Sequence, residues 1–305
     1  MLKATAHNPA ATLLEGGRII ASFGRRYLVE LPDDTILDCV TRGKRSDLAC
    51  GDFVTVRPSS PGAGVIETTV PRTTLLYRSD AYRQKLIAAN VTQVIVVAAS
   101  TPEVHEDLVN RCLAAAEHGG MSALIVFNKC DLPLSAAART GMELYARLGY
   151  RLLTLSAKTD VAPLVPHLGH HISVLVGQSG VGKSTIVNRL VPAAAARVAE
   201  LSAALGAGRH TTTHARLYHL DADSHIIDSP GMQEFGLYHL SADELAHSFV
   251  EFRPLLGTCR FRNCRHLQEP GCAITAACDA GTISSRRVAS YRKLAVEITH
   301  HPGWK

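Results

Sequence analysis

The chain has 305 residues, 46% of them hydrophobic and 19% charged, with a net charge of +5 at pH 7, as expected of a globular protein of about two or three domains. The opening "MLKATAHNPA" lacks the apolar core of a secretory signal, and no apolar run approaches the roughly 20 residues of a membrane helix. These features predict a cytoplasmic protein without a membrane partner, and the mild positive charge permits a nucleic-acid partner without arguing for one.

Residues 1 to about 72 read as short strands. "GRIIASFGRRYLVEL" is β-prone and broken at Gly24, "PDD" (Pro32 to Asp34) signals a turn, and "TILDCV", "CGDFVTVRP" and "GVIETTVP" follow. Even spacing without helical periodicity predicts a small barrel, of OB type or SH3-like. From about residue 91 strands alternate with helices. "VTQVIVVAAS" is apolar throughout, as in a strand buried on both faces. "EDLVNRCLAAAEHGG" predicts a helix stopped by glycine, "SALIVFNKCD" a strand, and Ser135 to about Leu148 a helix. "YRLLTLSAK" and "HISVLVGQSG" are two more strands with a helix-sized connection between them. "ARLYHLDADSHIIDSPG" reads as a hairpin whose second strand ends at Asp228. The whole predicts an α/β unit with a mostly parallel sheet. After Gly236 strand patterning stops. Ser241 and Glu244 form a capping-box pattern, and a last helix is expected from about Ser284 to Ile298. "PAAAAR" and the Gly206–Gly208 stretch read as mobile.

"GQSGVGKST" (Gly177, Gln178, Ser179, Gly180, Val181, Gly182, Lys183, Ser184, Thr185) is a Walker A loop between an apolar strand and a helix-compatible run. Its glycines let backbone N–H groups point at phosphate oxygens, and the helix N-terminus adds its positive end. Lys183 is expected to reach the β- and γ-phosphates and Ser184 to ligate Mg²⁺. "NKCD" chooses the base: the Asp131 carboxylate can accept from the N1–H and the exocyclic amine of guanine, a donor pair adenine lacks. Asn128 is expected to tie loops together and the Lys129 stem to lie over the base. "SAK" (Ser156, Ala157, Lys158) ends the next strand, where the Ala157 N–H can meet the guanine carbonyl. "DSPG" supplies Asp228 for the Mg²⁺ hydration shell and the Gly231 N–H for the γ-phosphate. Between these lies "GRHTTTH", where Thr212, chosen over Thr211 and Thr213, is expected to close over Mg²⁺.

An ordinary GTPase has the last three parts first. Here NKCD and SAK precede the P-loop, the threonine loop and DSPG, which is a circular permutation, tolerable because domain termini often lie close together. With a Cys/His cluster following, the sequence resembles the RsgA (YjeQ) family of circularly permuted bacterial GTPases of small-ribosomal-subunit assembly, over essentially the whole chain. The resemblance implies an OB-fold over residues 1–72, a permuted GTPase over 73–235 and a mostly helical zinc-binding domain over 236–305. It also implies GTP hydrolysis stimulated by the small ribosomal subunit, a role in its late maturation, and contact with its rRNA. Met232 stands where many GTPases carry a glutamine, so slow intrinsic hydrolysis is expected. His210 is the candidate for positioning water that the resemblance favours, with His214 as competitor.

Of eight cysteines, Cys39, Cys50, Cys112 and Cys130 are scattered, whereas Cys259, Cys264, Cys272 and Cys278 crowd into twenty residues, which in a long cytosolic chain points to metal rather than disulfides. Cys259, Cys264, His266 and Cys272 form a closed set suited to one structural Zn²⁺; the generic spacing signal is moderate and the resemblance makes it strong. Cys278 is read as a small apolar residue. Residues 1–72 hold nine Lys/Arg against eight Asp/Glu, and residues 236–305 nine against six. Arg25–Arg26, Arg42–Lys44–Arg45 and Arg260, Arg262 and Arg265 are local basic groups whose rRNA role rests on the resemblance. A monomer is expected. The competing readings are a regulatory GTPase whose zinc domain binds a protein, separable by subunit co-sedimentation, and an ATP-dependent P-loop enzyme, separable by base specificity.

Overall fold

The computed structural model describes residues 13–43, 47–79, 84–192, 215–229 and 237–299. The N-terminal strands are β1 (Leu14–Phe23), β2 (Arg26–Glu30), β3 (Ile36–Thr41), β4 (Phe53–Ser60) and β5 (Ala63–Thr69). They follow the order β1-β2-β3-β5-β4, and a β1–β4 pairing closes the ring. This order, with β3 and β5 parallel, is that of the OB-type barrel rather than the SH3-like one. Ile19, Tyr27, Val29, Cys39, Val54, Val56 and Ile66 fill it.

A hairpin not foreseen in the sequence comes next, β6 (Leu75–Ser79) and β7 (Gln84–Ala89). It is fastened to the barrel by hydrogen bonds from Ala89 N to Cys50 O (2.8 Å) and from Asn90 Nδ2 to Gly51 O (2.9 Å).

The central sheet contains β8 (Gln93–Ala99), β9 (Ser122–Asn128), β10 (Arg151–Thr154), β11 (Ile172–Val176), β12 (Arg216–His219) and β13 (His225–Asp228). Its order is β10-β9-β8-β11-β13-β12, parallel except for β12. Every residue of β8 is buried, as its unbroken apolar run requires. Val94 and Val96 face one layer, while Ile95 and Val97 face the other. Helix α1 (Glu106–His118) ends at Gly119; α2 (Ala136–Arg147) starts at Ser135, whose hydroxyl accepts from Ala138 N at 3.2 Å. The connection between β10 and β11 is a 3₁₀ helix, Ala162–His167, because Pro163 and Pro166 remove N–H donors an α-helix needs. Helix α3 (Lys183–Leu190) follows the glycine-rich loop.

The C-terminal part is helical: α4 (Ala242–His247), opened by the expected Ser241/Glu244 capping box, α5 (Ala273–Asp279) and α6 (Ser285–Thr299). Its Phe249, Phe252 and Tyr291 rings pack together and belong to the same core as Val94, Leu113 and Ile125. At the other side, Ala21 of β1 pairs with Arg216 of β12, so barrel and central sheet are hydrogen-bonded into one sheet.

Candidate nucleotide site and Cys/His cluster

The carboxyl ends of β8, β9, β10, β11 and β13 lie along one edge, where parallel sheets bind ligands. From these ends emerge NKCD, SAK, the glycine-rich loop and Asp228. Asn128, at the end of β9, is buried and bridges both neighbours. Its Nδ2 donates to Val181 O (2.8 Å) in the glycine-rich loop, and its Oδ1 accepts from Ala157 N (2.8 Å). Gly182 sits directly against it: a Cβ there would collide with Asn128 Nδ2, and the φ of 103° is left-handed. Gly177, with φ of 145°, likewise lies on Val97 O with no room for a side chain. The motif glycines are therefore demanded by packing between the loops as well as by the curl of the backbone.

Lys129 spans from NKCD across to the glycine-rich loop, its Nζ donating to Thr101 O and Gly180 O, both at 2.7 Å. The exposed Asp131 accepts from Ser156 Oγ at 2.5 Å, and this bond is the main reason its carboxyl lies below the ordinary aspartate range. Lys158 and Thr159 carbonyls are held by Arg189 of α3, the latter at 3.1 Å. That contact had no sequence signal, because Arg189 lies in a helix outside every motif.

Lys183 is buried and its ammonium donates to Gly177 O (2.8 Å) and Gln178 O (2.9 Å). Burial lowers its pKa, and the Asp228 charge works against that shift. Ser184 Oγ donates to Asp228 Oδ2 at 3.3 Å. Asp228 is buried, which raises its pKa, and its Oδ1 has no hydrogen-bond partner among the described residues. An orphaned carboxylate oxygen beside a hydroxyl suits a hydrated cation, so Ser184 and Asp228 fit Mg²⁺. Ser229 Oγ anchors the strand end by donating to Leu175 O at 2.6 Å. His210, Thr211, Thr212, Thr213, His214, Gly231 and Met232 lie outside the described residues, as do Lys44, Arg45, the Gly206–Gly208 stretch and "PAAAAR" beyond Pro192.

In the C-terminal part the ligand atoms of Cys259, Cys264, His266 and Cys272 lie within 4.8 Å of one another. His266 Nδ1 is 3.5 Å from both Cys259 Sγ and Cys272 Sγ. Tetrahedral zinc, with Zn–S of about 2.3 Å and Zn–N of about 2.0 Å, sets neighbouring ligands roughly 3.5 Å apart. The cluster is therefore compatible with one zinc ion. Cys278 is partly buried, packs on the core and lies outside the cluster.

Among the described residues no helix is long and apolar enough to cross a membrane. The model of the family described as RsgA GTPase matches residues 69–238. The Small ribosomal subunit biogenesis GTPase RsgA of Nitrosospira multiformis is 54% identical over 283 residues, covering 92% of this chain and 90% of that one. The protein of the same name from Nitrosomonas europaea is 50% identical over 292 residues, covering 94% and 93%. YjeQ from Thermotoga maritima superposes with a TM-score of 0.70 at 29% identity, over 94% of this chain and 99% of that one. YloQ, a circularly permuted GTPase, superposes with a TM-score of 0.68 at 25% identity, over 99% and 100%. With its nucleotide loops in permuted order along one sheet edge, the chain belongs to the RsgA GTPase family and is a hydrolase of GTP.

Proposed function

We propose that this GTPase acts in late maturation of the small ribosomal subunit, which stimulates its hydrolysis and whose rRNA it contacts. The observation that carries the nucleotide half is Asn128, which joins NKCD, SAK and the glycine-rich loop into one cradle despite their order in the chain. The names of the highly identical relatives support the ribosomal half.

In this reading Asp131 recognises guanine, Ser156 orients its carboxylate and Lys129 walls the base; the Ala157 N–H, which here donates to Asn128 Oδ1, would have to be shared with the guanine carbonyl to take its expected part. The loop Gly177–Thr185 cradles the phosphates, with Lys183 as the cation facing them. Ser184 would ligate Mg²⁺ and Asp228 would hold its hydration shell, the ion supplying positive charge against the phosphates. Thr212, Gly231 and His210 keep their expected parts: closure over the metal, contact to the γ-phosphate and orientation of water. Cys259, Cys264, His266 and Cys272 hold one structural zinc, since a closed set leaves no position for a reacting water. We divide the chain into the barrel (1–72), the permuted GTPase (73–235) and the zinc-binding part (236–305), acting as a cytoplasmic monomer.

The permutation also supplies a route for signalling. Ser241, which caps α4, follows Ser229 by only twelve residues, so a γ-phosphate contact at Gly231 would bear on the entry to the zinc-binding part. Equal affinity for the subunit with GDP and with a GTP analogue would argue against this route. The main test is GTPase rate with and without purified small subunits. A large acceleration is expected, and equal rates would remove the ribosomal half of the reading.

A further inference from the structure

The Cys/His loop turns its chemistry in two directions. Inward point the sulfur and imidazole ligands; outward stand Arg260, Phe261, Arg262 and Arg265, all exposed. Phe261 is 42% exposed, and the Arg260 guanidinium carbon lies 5.5 Å from its ring centroid. An exposed phenylalanine is ordinary by itself. Its charge environment is less so. Among the described residues none of these three guanidinium groups forms an ion pair. On the barrel, by contrast, Arg26 pairs with Asp38, Arg57 with Glu67 and Arg72 with Asp52. The loop's own carboxylate, Glu269, is turned to the backbone, accepting from the N–H groups of Arg265 (2.9 Å), Leu267 (2.8 Å) and Gln268 (3.1 Å). The backbone of the basic segment is itself tied down, by Arg260 N to Gly271 O (3.0 Å) and Cys264 N to Phe261 O (3.2 Å). Such a surface is held in place before any partner arrives, so little ordering entropy is lost on binding.

Resting on the rRNA-binding reading above, we propose that Phe261 and Arg260 form a stacking platform for one unpaired RNA base, with Arg262 and Arg265 on the flanking phosphates. Every base has a π-face that an aromatic ring or a guanidinium plane can stack on, and guanidinium groups grip phosphate bidentately. Three uncompensated positive charges within six positions suit a polyanion, whose neutralisation releases counterions. A protein surface would have to bring carboxylates to match, and it is the competing occupant. The division of labour follows: the Cys/His loop reads unpaired RNA, while the paired arginines of the barrel contribute less.

The test uses the full-length, zinc-loaded chain, a labelled twelve-nucleotide oligouridine strand and an RNA duplex of equal length, with anisotropy measured over a salt series. Equal zinc content and melting temperature confirm that each variant is folded. The wild type is expected to prefer the single strand. Phe261→Ala should weaken that binding roughly tenfold with an unchanged salt slope, and Phe261→Trp should restore it. Arg262→Ala should weaken strand and duplex alike and lower the salt slope by about one ion. If Phe261→Ala binds like wild type while Arg262→Ala is weak, the loop grips phosphate only; the platform is overturned and RNA binding stands. If both variants keep RNA binding but lose intact small subunits, the occupant is a protein and the proposal falls. A wild type that binds neither RNA nor subunits overturns the rRNA reading, and the platform with it.

Discussion

At the nucleotide edge, Asn128 and Asp228 are a hundred residues apart in the chain and meet along one sheet edge; in the Cys/His loop all four ligands come from fourteen consecutive residues. The edge is assembled by protein alone. Parallel pairing aligns the strand ends, and Asn128, Lys129 and Ser156 stitch loop to loop. The loop is tied along its backbone, by Arg260 N to Gly271 O and by the Glu269 carboxylate, and gathers three thiols and an imidazole within 4.8 Å. The first site is preorganised for a ligand that comes and goes. The second brings four ligands that one zinc ion would join, so losing such an ion should affect the two regions very differently.

The largest expected effect tests that contrast directly. Cys264→Ser should abolish zinc binding, a loss on the order of 10 kcal/mol by analogy with small zinc modules. The Cys/His loop should become protease-sensitive while fluorescent GTP-analogue affinity changes little. If nucleotide affinity collapses as well, the two regions are one cooperative unit and the contrast fails.

A second prediction concerns what joins them. Arg287 of α6 is 1% exposed and lies 4.3 Å from the Phe249 ring centroid. It binds Glu251 through two bonds (2.6 and 3.1 Å) and donates to Asn110 Oδ1 of α1 at 2.6 Å. Asn110 also meets Ser290 and Tyr145. Outside this buried knot, Arg111–Glu297, Lys293–Asp107 and Arg286–Glu106 line the same α1–α6 seam. Removing one member strands the others without water. Arg287→Ala should cost about 3–5 kcal/mol in unfolding free energy, far more than Lys293→Ala on the exposed rim, at about 0–1 kcal/mol. Similar denaturation midpoints for the two variants would show that the seam is not held by its buried centre.

Within the nucleotide edge, Asp131→Asn removes a charged acceptor and leaves the fold alone. GTP affinity should fall roughly 10- to 100-fold, as expected for charge-assisted bonds, and xanthosine triphosphate should gain in its place. Unchanged guanine preference would mean that another group reads the base.

The motif residues were legible in the sequence because phosphate and base chemistry restrict the residue types that serve. Most strands and helices were legible from periodicity and caps, as Ser135 and Ser241 show. Other features carry no local signal. The β1–β12 pairing joins Ala21 to Arg216 and depends on two edges meeting in space. The β6–β7 hairpin is too short and too weakly patterned between the barrel and the buried β8 run to stand out. Charge counts, nine against eight over residues 1–72, do not say which charges pair. Arg26 and Arg42 look like a basic patch on the barrel, yet they face Asp38 and Glu67, whereas Arg260, Arg262 and Arg265 have no such partners among the described residues. Pairing depends on register across strands, which composition does not record.

The smallest predicted effect lies where the barrel meets the sheet. His225 of β13 packs its Nδ1 2.9 Å from His219 Nδ1, and His219 Nε2 lies 2.5 Å from Glu30 Oε2 on the barrel. Burial, reinforced by the charges of Arg18 and His219 and opposed by Asp221 and Glu30, lowers the His225 pKa to about 4. Above the unfolded pKa of about 6.5 the ring is neutral in both states and contributes no pH dependence. Between about 6.5 and 4 the unfolded chain binds a proton that the folded one refuses, so stability falls as pH falls. At pH 5 the loss is bounded by about 2 kcal/mol, and solvent screening at the joint trims it. Melting temperature should therefore drop from pH 7 to pH 5 more steeply for the wild type than for His225→Gln, which has no proton to gain. Parallel curves would place the acid sensitivity elsewhere and leave the barrel–sheet joint indifferent to pH.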